Sequence, residues 1–142
     1  MQMLVKDVMN RNVEVIDGNI SLNEAAKVMF EKKRGCLLVL ESGKLSGLVT
    51  ERDFVWKAVA KGLDSSKLRI REIMSSPVIT IDPDTDLGEA TRLMITHETR
   101  LLTVAKDGII YGIIGPWHVV SSFTDYMDKM SRDLIGHMYT IF

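Results

Sequence analysis

The sequence predicts a mixed α/β (α+β) fold made of two tandem copies of one small motif. Each copy runs strand, helix, strand, strand, helix, and the two are expected to pack with pseudo-twofold symmetry. Three observations predict this: a repeat at a fixed offset, hydrophobic periodicity that switches between extended and helical within each copy, and turn residues where it switches. Setting Val8 against Ile73 fixes an offset of 65 residues, which holds without a gap for about fifty positions. Val13 then meets Val78, Ile16 meets Ile81, Leu22 meets Leu87, Glu24 meets Glu89, Met29 meets Met94, Val39 meets Val104 and Gly47 meets Gly112. A unit of this size buries little alone, so two copies are expected to share the work of forming a core. The predicted organisation is residues 1–63, residues 64–124, and a helical tail over 125–142.

The elements follow in order. Val13 to Ile16 is a short extended run. Ser21, with Glu24 three residues on, is a capping box opening a helix whose apolar positions Leu22, Ala25, Ala26 and Met29 fall at helical spacing, and Asp86 with Glu89 repeats the box. Cys36 to Leu40 is an unbroken apolar run with the length of a buried strand. Glu41 to Lys44 is a glycine-containing turn, and Leu45 to Val49 completes a hairpin. Thr50 and Asp53 form another capping box, opening a helix that stops at Gly62, where glycine suits a C-terminal cap. In the second copy that helix opens with Gly115 and Pro116, a proline at the first helical position, where its missing N–H costs nothing.

Composition bounds the function. The 142 residues carry 18 Lys and Arg against 19 Asp and Glu, a formal net charge of −1, with no long run of like charge. A protein whose main task is gripping a nucleic-acid backbone would be basic, so nucleic acid is not an expected partner. Cys36 is the only cysteine, which excludes an intrachain disulfide and a cysteine-rich zinc site. No apolar stretch reaches the roughly eighteen residues needed to span a bilayer, and the opening MQMLVKDVMN lacks the apolar core of a signal peptide. A cytoplasmic location without membrane association is expected. His97, His118 and His137 show no metal-ligand spacing, and Cys36, inside CLLVL, reads as core. No nucleophile with a base and no paired acids stand out, so neither catalytic residues, a metal nor a catalytic cofactor is expected.

The phrases VKDVMNRNVEVI, LNEAAKVM and GLVTERD, set in this repeat, resemble the cystathionine-β-synthase (CBS) domain, and the pair resembles a Bateman module. The resemblance covers residues 5 to about 124, and its most specific element is Gly47-Leu48-Val49-Thr50-Glu51-Arg52-Asp53. It implies a regulatory module, not an enzyme, that binds AMP, ADP, ATP or S-adenosylmethionine in a cleft between the two halves and signals energy or metabolite state. In such modules the Thr touches phosphate and the Asp holds the ribose hydroxyls. The chemistry suits: a strand-to-helix junction presents backbone N–H groups and the positive end of a helix dipole, and an Asp one turn in can accept from a vicinal diol. The same pair is also a capping box, so a purely structural role competes.

The second copy departs from the pattern, with Gly115 where Thr50 stands and His118 where Asp53 stands. By the resemblance, each site takes its Thr and Asp from one half and adenine-facing residues from the other. The intact site would combine Thr50, Arg52 and Asp53 with Val78, Thr80, Arg100, Leu101 and Leu102. The degenerate one would combine Gly115 and His118 with Val13, Val15, Gly35, Cys36 and Leu37. His97 and Arg100 are candidates for phosphate contacts, with solvated surface charge as the alternative. In the tail, Phe123, Tyr126, Met127, Met130, Leu134, Ile135 and Met138 recur at three- and four-residue intervals, predicting one amphipathic helix ending near Gly136. Its apolar stripe serves either the parent core or a partner, and a homodimer is expected. The alternative to ligand sensing is a protein-interaction scaffold with a vestigial nucleotide cleft.

Overall fold

The structure, a computed structural model, describes residues 3–141, and the side chains of residues 3–138. Two compact units form, and they are not consecutive halves of the chain. One comprises residues 12–79, and the other joins the described residues up to Arg11 to those from Thr80 onward. The cut differs from the expected boundary at 63 and 64 because the segment leading into each repeat hydrogen-bonds to the other repeat's elements.

In the unit of residues 12–79, β1 (Val15–Asp17) runs parallel to β2 (Cys36–Glu41), and β2 pairs antiparallel with β3 (Lys44–Thr50), giving the order β1-β2-β3. Helix α2 (Leu22–Lys32) links the parallel pair, following the short α1 (Val5–Val8) that belongs to the other unit. The Ser21 hydroxyl accepts from the Glu24 N–H at 3.1 Å, the cap its spacing predicts. Leu22, Ala25 and Met29 face Leu37, Val39 and Val49 of the sheet, and Ile70 and Ile73 complete that core. Ser42 and Gly43 both take positive φ, the conformation that matches a two-residue hairpin turn to strand twist. After β3 a single α-helical turn, α3 (Glu51–Phe54), passes into a π-helical stretch at Val55–Val59, with the Ala60 N–H reaching the Val55 carbonyl. Gly62, at φ +65, closes the run where the sequence placed its stop.

The other unit repeats this arrangement: β4 (Thr80–Ile81) parallel to β5 (Leu102–Lys106), β5 antiparallel to β6 (Ile109–Ile114), with α4 (Leu87–Thr96) between β4 and β5. Even the irregularities recur at the same offset: a register shift at Val39/Leu40 and at Val104/Ala105, and left-handed Lys33 and Glu98 just past the two helices. Asp86 caps α4 through the Gly88 N–H at 2.7 Å, while Glu89 pairs with Arg92. The last helix, α5 (Pro116–Ile141), begins at the proline, as expected, but runs through Gly136. One glycine among stronger helix formers costs about 1 kcal/mol and does not by itself end a helix. The expected separate tail is therefore the continuation of the second repeat's own last helix.

The leading segments dock in the same way. The Val5 and Lys6 N–H groups donate to the Thr85 and Pro83 carbonyls, and Asn10 and Ile113 exchange backbone hydrogen bonds. Sixty-five residues on, Ile70 and Arg71 donate to Ile20 and Gly18, and Ser75 and Leu48 exchange theirs. Val5 and Ile70 are fully buried at these sites. This crossing explains a glycine in each copy: a Cβ on Gly112 would lie 2.5 Å from the Asn10 carbonyl oxygen, and one on Gly47 would strike the Met74 sulfur.

Candidate functional site

In the unit of residues 12–79, one end of the β2–β3 ladder sets Thr50, Arg52 and Asp53, expected in the intact site, beside Gly35, Cys36 and Leu37, which were expected in the degenerate one. Cys36 stands opposite Thr50 in register, Leu37 opposite Val49, and the Glu51 N–H donates to the Gly35 carbonyl at 3.2 Å. Thr50 ends the strand and α3 begins with Glu51, so Thr50, Arg52 and Asp53 follow one another around a single turn. Asp53 is 8% exposed. One carboxylate oxygen accepts from the Thr50 N–H at 2.9 Å and lies 3.4 Å from its hydroxyl, while the other meets Lys57 Nζ at 2.8 Å. Lys57 in turn donates to the Ile73 carbonyl. The carboxylate is thereby fixed in one orientation, and the oxygen that meets Lys57 keeps a further lone pair. Arg52 is exposed, its guanidinium 4.8 Å from the centre of the Trp56 ring.

Cys36 is half-buried, which differs from the core position expected of it, because β2 begins there at the edge of the core. Burial raises its thiol pKa; the Arg34 charge opposes that shift and the Glu51 charge adds to it. Arg34 was not singled out by its pattern, yet its Nε is buried with no hydrogen-bond partner. The only sequence signal was its place as the last cation of the Lys32-Lys33-Arg34 run, between a helix end and a buried strand. Leu37 is fully buried in the unit's own core, Val15 is exposed, and Val13 and Val78 are half-buried just ahead of β1 and β4.

In the other unit, Arg100, Leu101, Gly115 and His118 come together at the equivalent place. A Cβ on Gly115 would lie 2.7 Å from the Arg100 carbonyl oxygen and 3.5 Å from Leu101 Cδ2. The carbonyl that Glu51 caps in the first repeat has no counterpart donor here, because Pro116 lacks an N–H. His118 Nδ1 accepts from the Gly115 N–H at 3.0 Å, so the imidazole performs the cap that Asp53 performs on Thr50. Burial lowers its pKa. Leu102 is fully buried against Ile114, Thr80 is exposed on β4 beside Thr103, and His97 and Arg100 are exposed after α4. A separate pocket of about 360 Å³ opens among Met3, Leu87, Thr91, Val119, Ser122 and Phe123. The Thr91 and Ser122 hydroxyls are tied to their own helices, so they do not converge on its interior.

The CBS-domain family profile matches residues 5–59 and again 70–125. The chain belongs to the CBS-domain family. This CBS pair is 32% identical over 110 residues to the CBS domain-containing protein YhcV of Bacillus subtilis, covering 78% of each chain. It is similar to the hexameric CBS-CP12 protein of bloom-forming cyanobacteria, with 30% identity, a TM-score of 0.79, and coverage of 84% of this chain and 67% of that one. It is also similar to the CBS domain pair of protein MJ0100, whose structure holds 5′-methylthioadenosine and S-adenosyl-L-methionine. There the identity is 28% and the TM-score 0.78, covering 89% of this chain and 99% of that one. Among the described residues of the CBS pair, no cluster of His, Cys, Asp and Glu is placed to hold a metal ion, and no helix is long and apolar enough to cross a membrane.

Proposed function

We propose that this CBS pair is a regulatory module that binds one adenine nucleotide or adenosyl compound per chain at the Thr50–Asp53 turn. The observation that carries this is the Asp53 carboxylate, buried and immobilised by Thr50 and Lys57. A fixed carboxylate accepts from two vicinal ribose hydroxyls without losing further side-chain entropy. Thr50 supplies a hydroxyl, and Arg52 and the unpaired Nε of Arg34 supply cationic donors for phosphate or a ligand carboxylate. The neighbour holding S-adenosyl-L-methionine supports the adenosyl class. In the second repeat, Gly115 carries no hydroxyl and His118 no carboxylate, which leaves one strong site.

Binding is read out by a protein partner or by the packing of a homodimer. Phe30 and Ile95, equivalent in the repeat, stand 84% and 72% exposed on their helices, as expected of surfaces that meet other helices. The competing function is a scaffold in which Asp53 only caps α3 and pairs with Lys57, contacts it already makes. Calorimetric titration with AMP, ADP, ATP and S-adenosylmethionine decides between them. One event per chain is expected, weakened at least about tenfold by Asp53→Ala and barely altered by His118→Ala. The lost charge-assisted bonds are worth roughly 1.5–3 kcal/mol each, and tenfold requires only about 1.4. No binding of any of the four supports the scaffold, and two tight events per chain refute the asymmetry.

A further inference from the structure

Granting the ligand reading above, on which this rests, we propose that Lys57 is a positioning residue that couples ligand binding at Asp53 to the docking of the segment leading into the second repeat. Asp53 Oδ1 lies 2.8 Å from Lys57 Nζ, and the same nitrogen donates to the Ile73 carbonyl at 2.9 Å. The other carboxylate oxygen serves the Thr50 N–H and lies within reach of its hydroxyl, so the lone pair left for a ribose hydroxyl sits on the oxygen that Lys57 holds. Ile73 ends a single 3₁₀ turn, Ile70–Glu72, where helical carbonyls run out of partners within their own turn. Lys57 reaches both groups from the π-helical stretch, one turn after Asp53. The binding turn is thereby joined to a carbonyl sixteen residues beyond Lys57.

The second repeat shows that docking does not require this link. Its leading segment seats through the same bonds: Met9 donates to Val5 as Met74 does to Ile70, and Asn10 exchanges with Ile113 as Ser75 does with Leu48. Yet Ser122 stands in the place of Lys57, its hydroxyl turned back on the Val119 carbonyl, and His118 stands in the place of Asp53. The cation is present only in the repeat that keeps the carboxylate. With the segment seated, the Ile73 carbonyl anchors the ammonium, and the ammonium holds Asp53 ready to accept. With the segment lifted, the long lysine stem is free, and binding must order it. The ligand therefore prefers the seated state, and by reciprocity its binding tightens the seating. Ser75 and Leu48 report that seating, since they exchange backbone hydrogen bonds at 2.8 and 3.1 Å between the segment and β3.

The test uses the full chain. Calorimetric titration with AMP, ADP, ATP and S-adenosylmethionine identifies which of them binds, and amide hydrogen exchange is then followed with and without that compound. Saturation should slow exchange at the Ser75 and Leu48 amides of the parent by about fivefold or more, and leave their counterparts Asn10 and Ile113 unchanged. Lys57→Met should bind less tightly and, once saturated, show no slowing at Ser75 and Leu48. Lys57→Arg, which keeps the charge and the reach, should restore it. If Lys57→Met does not fold by circular dichroism, Lys57→Gln, which loses the charge but stays polar, is read in its place. Binding without slowing in the parent, or equal slowing in the uncharged variant, overturns the coupling and leaves the ligand reading standing. Binding of none of the four overturns both.

Discussion

Giving the second repeat the threonine of the first, Gly115→Thr, should weaken the protein instead of creating a second binding turn. The added Cβ would stand 2.7 Å from the Arg100 carbonyl oxygen, where ordinary contact begins near 3.4 Å, and the obstacle is backbone that cannot rotate aside. Overpacking of this kind costs about 1–3 kcal/mol, a fall in Tm of roughly 3–10 °C for a chain of this length. The origin lies one residue on. In the first repeat the Glu51 N–H donates to the Gly35 carbonyl at 3.2 Å, whereas Pro116 has nothing to offer Arg100. Pro116→Glu should therefore let the Arg100 carbonyl move onto a donor and make Gly115→Thr cheaper by about 1 kcal/mol, measured as a double-mutant cycle in urea. The reasoning fails if Gly115→Thr alone is as stable as the parent, or if its cost is the same in both backgrounds.

Three further outcomes follow from the same contacts. Because burial holds the His118 pKa below the ordinary value of 6.5, the folded state binds its proton more weakly than the unfolded chain does. Stability from this residue is present above 6.5 and is lost as pH falls below it; urea midpoints at about pH 7.5 and about pH 5.5 should show the drop, and His118→Asp should flatten it across that window. Gly112→Ala, which sets a methyl against the Asn10 backbone, should cost about 1–3 kcal/mol, and Gly47→Ala less, since the methionine it strikes can turn away; equal costs by thermal melting would refute the crossing as the cause. Asp53→Ala should also lose about 1 kcal/mol of cap stability, whereas Asp53→Asn should keep the cap while losing the Lys57 ion pair.

What could be read from the sequence was whatever is local. Ser21 with Glu24, Ser42 with Gly43, and Pro116 as the opening of a helix each act within a few residues, and the offset of 65 carried each from one copy to the other. Long-range contacts were hidden. Nothing in VKDVMN says that Val5 will be buried beside Thr85, because the bond joins segments about eighty residues apart. Gly47 looked like a letter of a ligand-binding signature, and only the crossing of Met74 gives it a packing reason. His118 was legible as a lost carboxylate but not as a retained cap, since that requires asking which acceptor serves the Gly115 N–H. Gly136 was weighed as a stop on its own, without the helix-forming residues on either side. The π-helical stretch at Val55–Val59 has no sequence signal that we can identify.

The crossing of the leading segments bears on how the chain is made. A ribosome delivers Val5, Lys6 and Asn10 early, but Thr85 and Pro83, the partners of the first two, come about eighty residues later, and Ile113, the partner of Asn10, later still. The first core is built from residues within 12–79 and can close while the rest is being synthesised. The other unit cannot, since its first strip of structure must wait, with Val5 and Met9 wet, until β6 has emerged. Folding is therefore ordered by synthesis, inner unit first, and the outer unit bears the cost of long-range loop closure. For the same reason, cutting the gene between the repeats would yield two fragments that each carry the other's missing edge. Such fragments should recombine when mixed more readily than either folds alone.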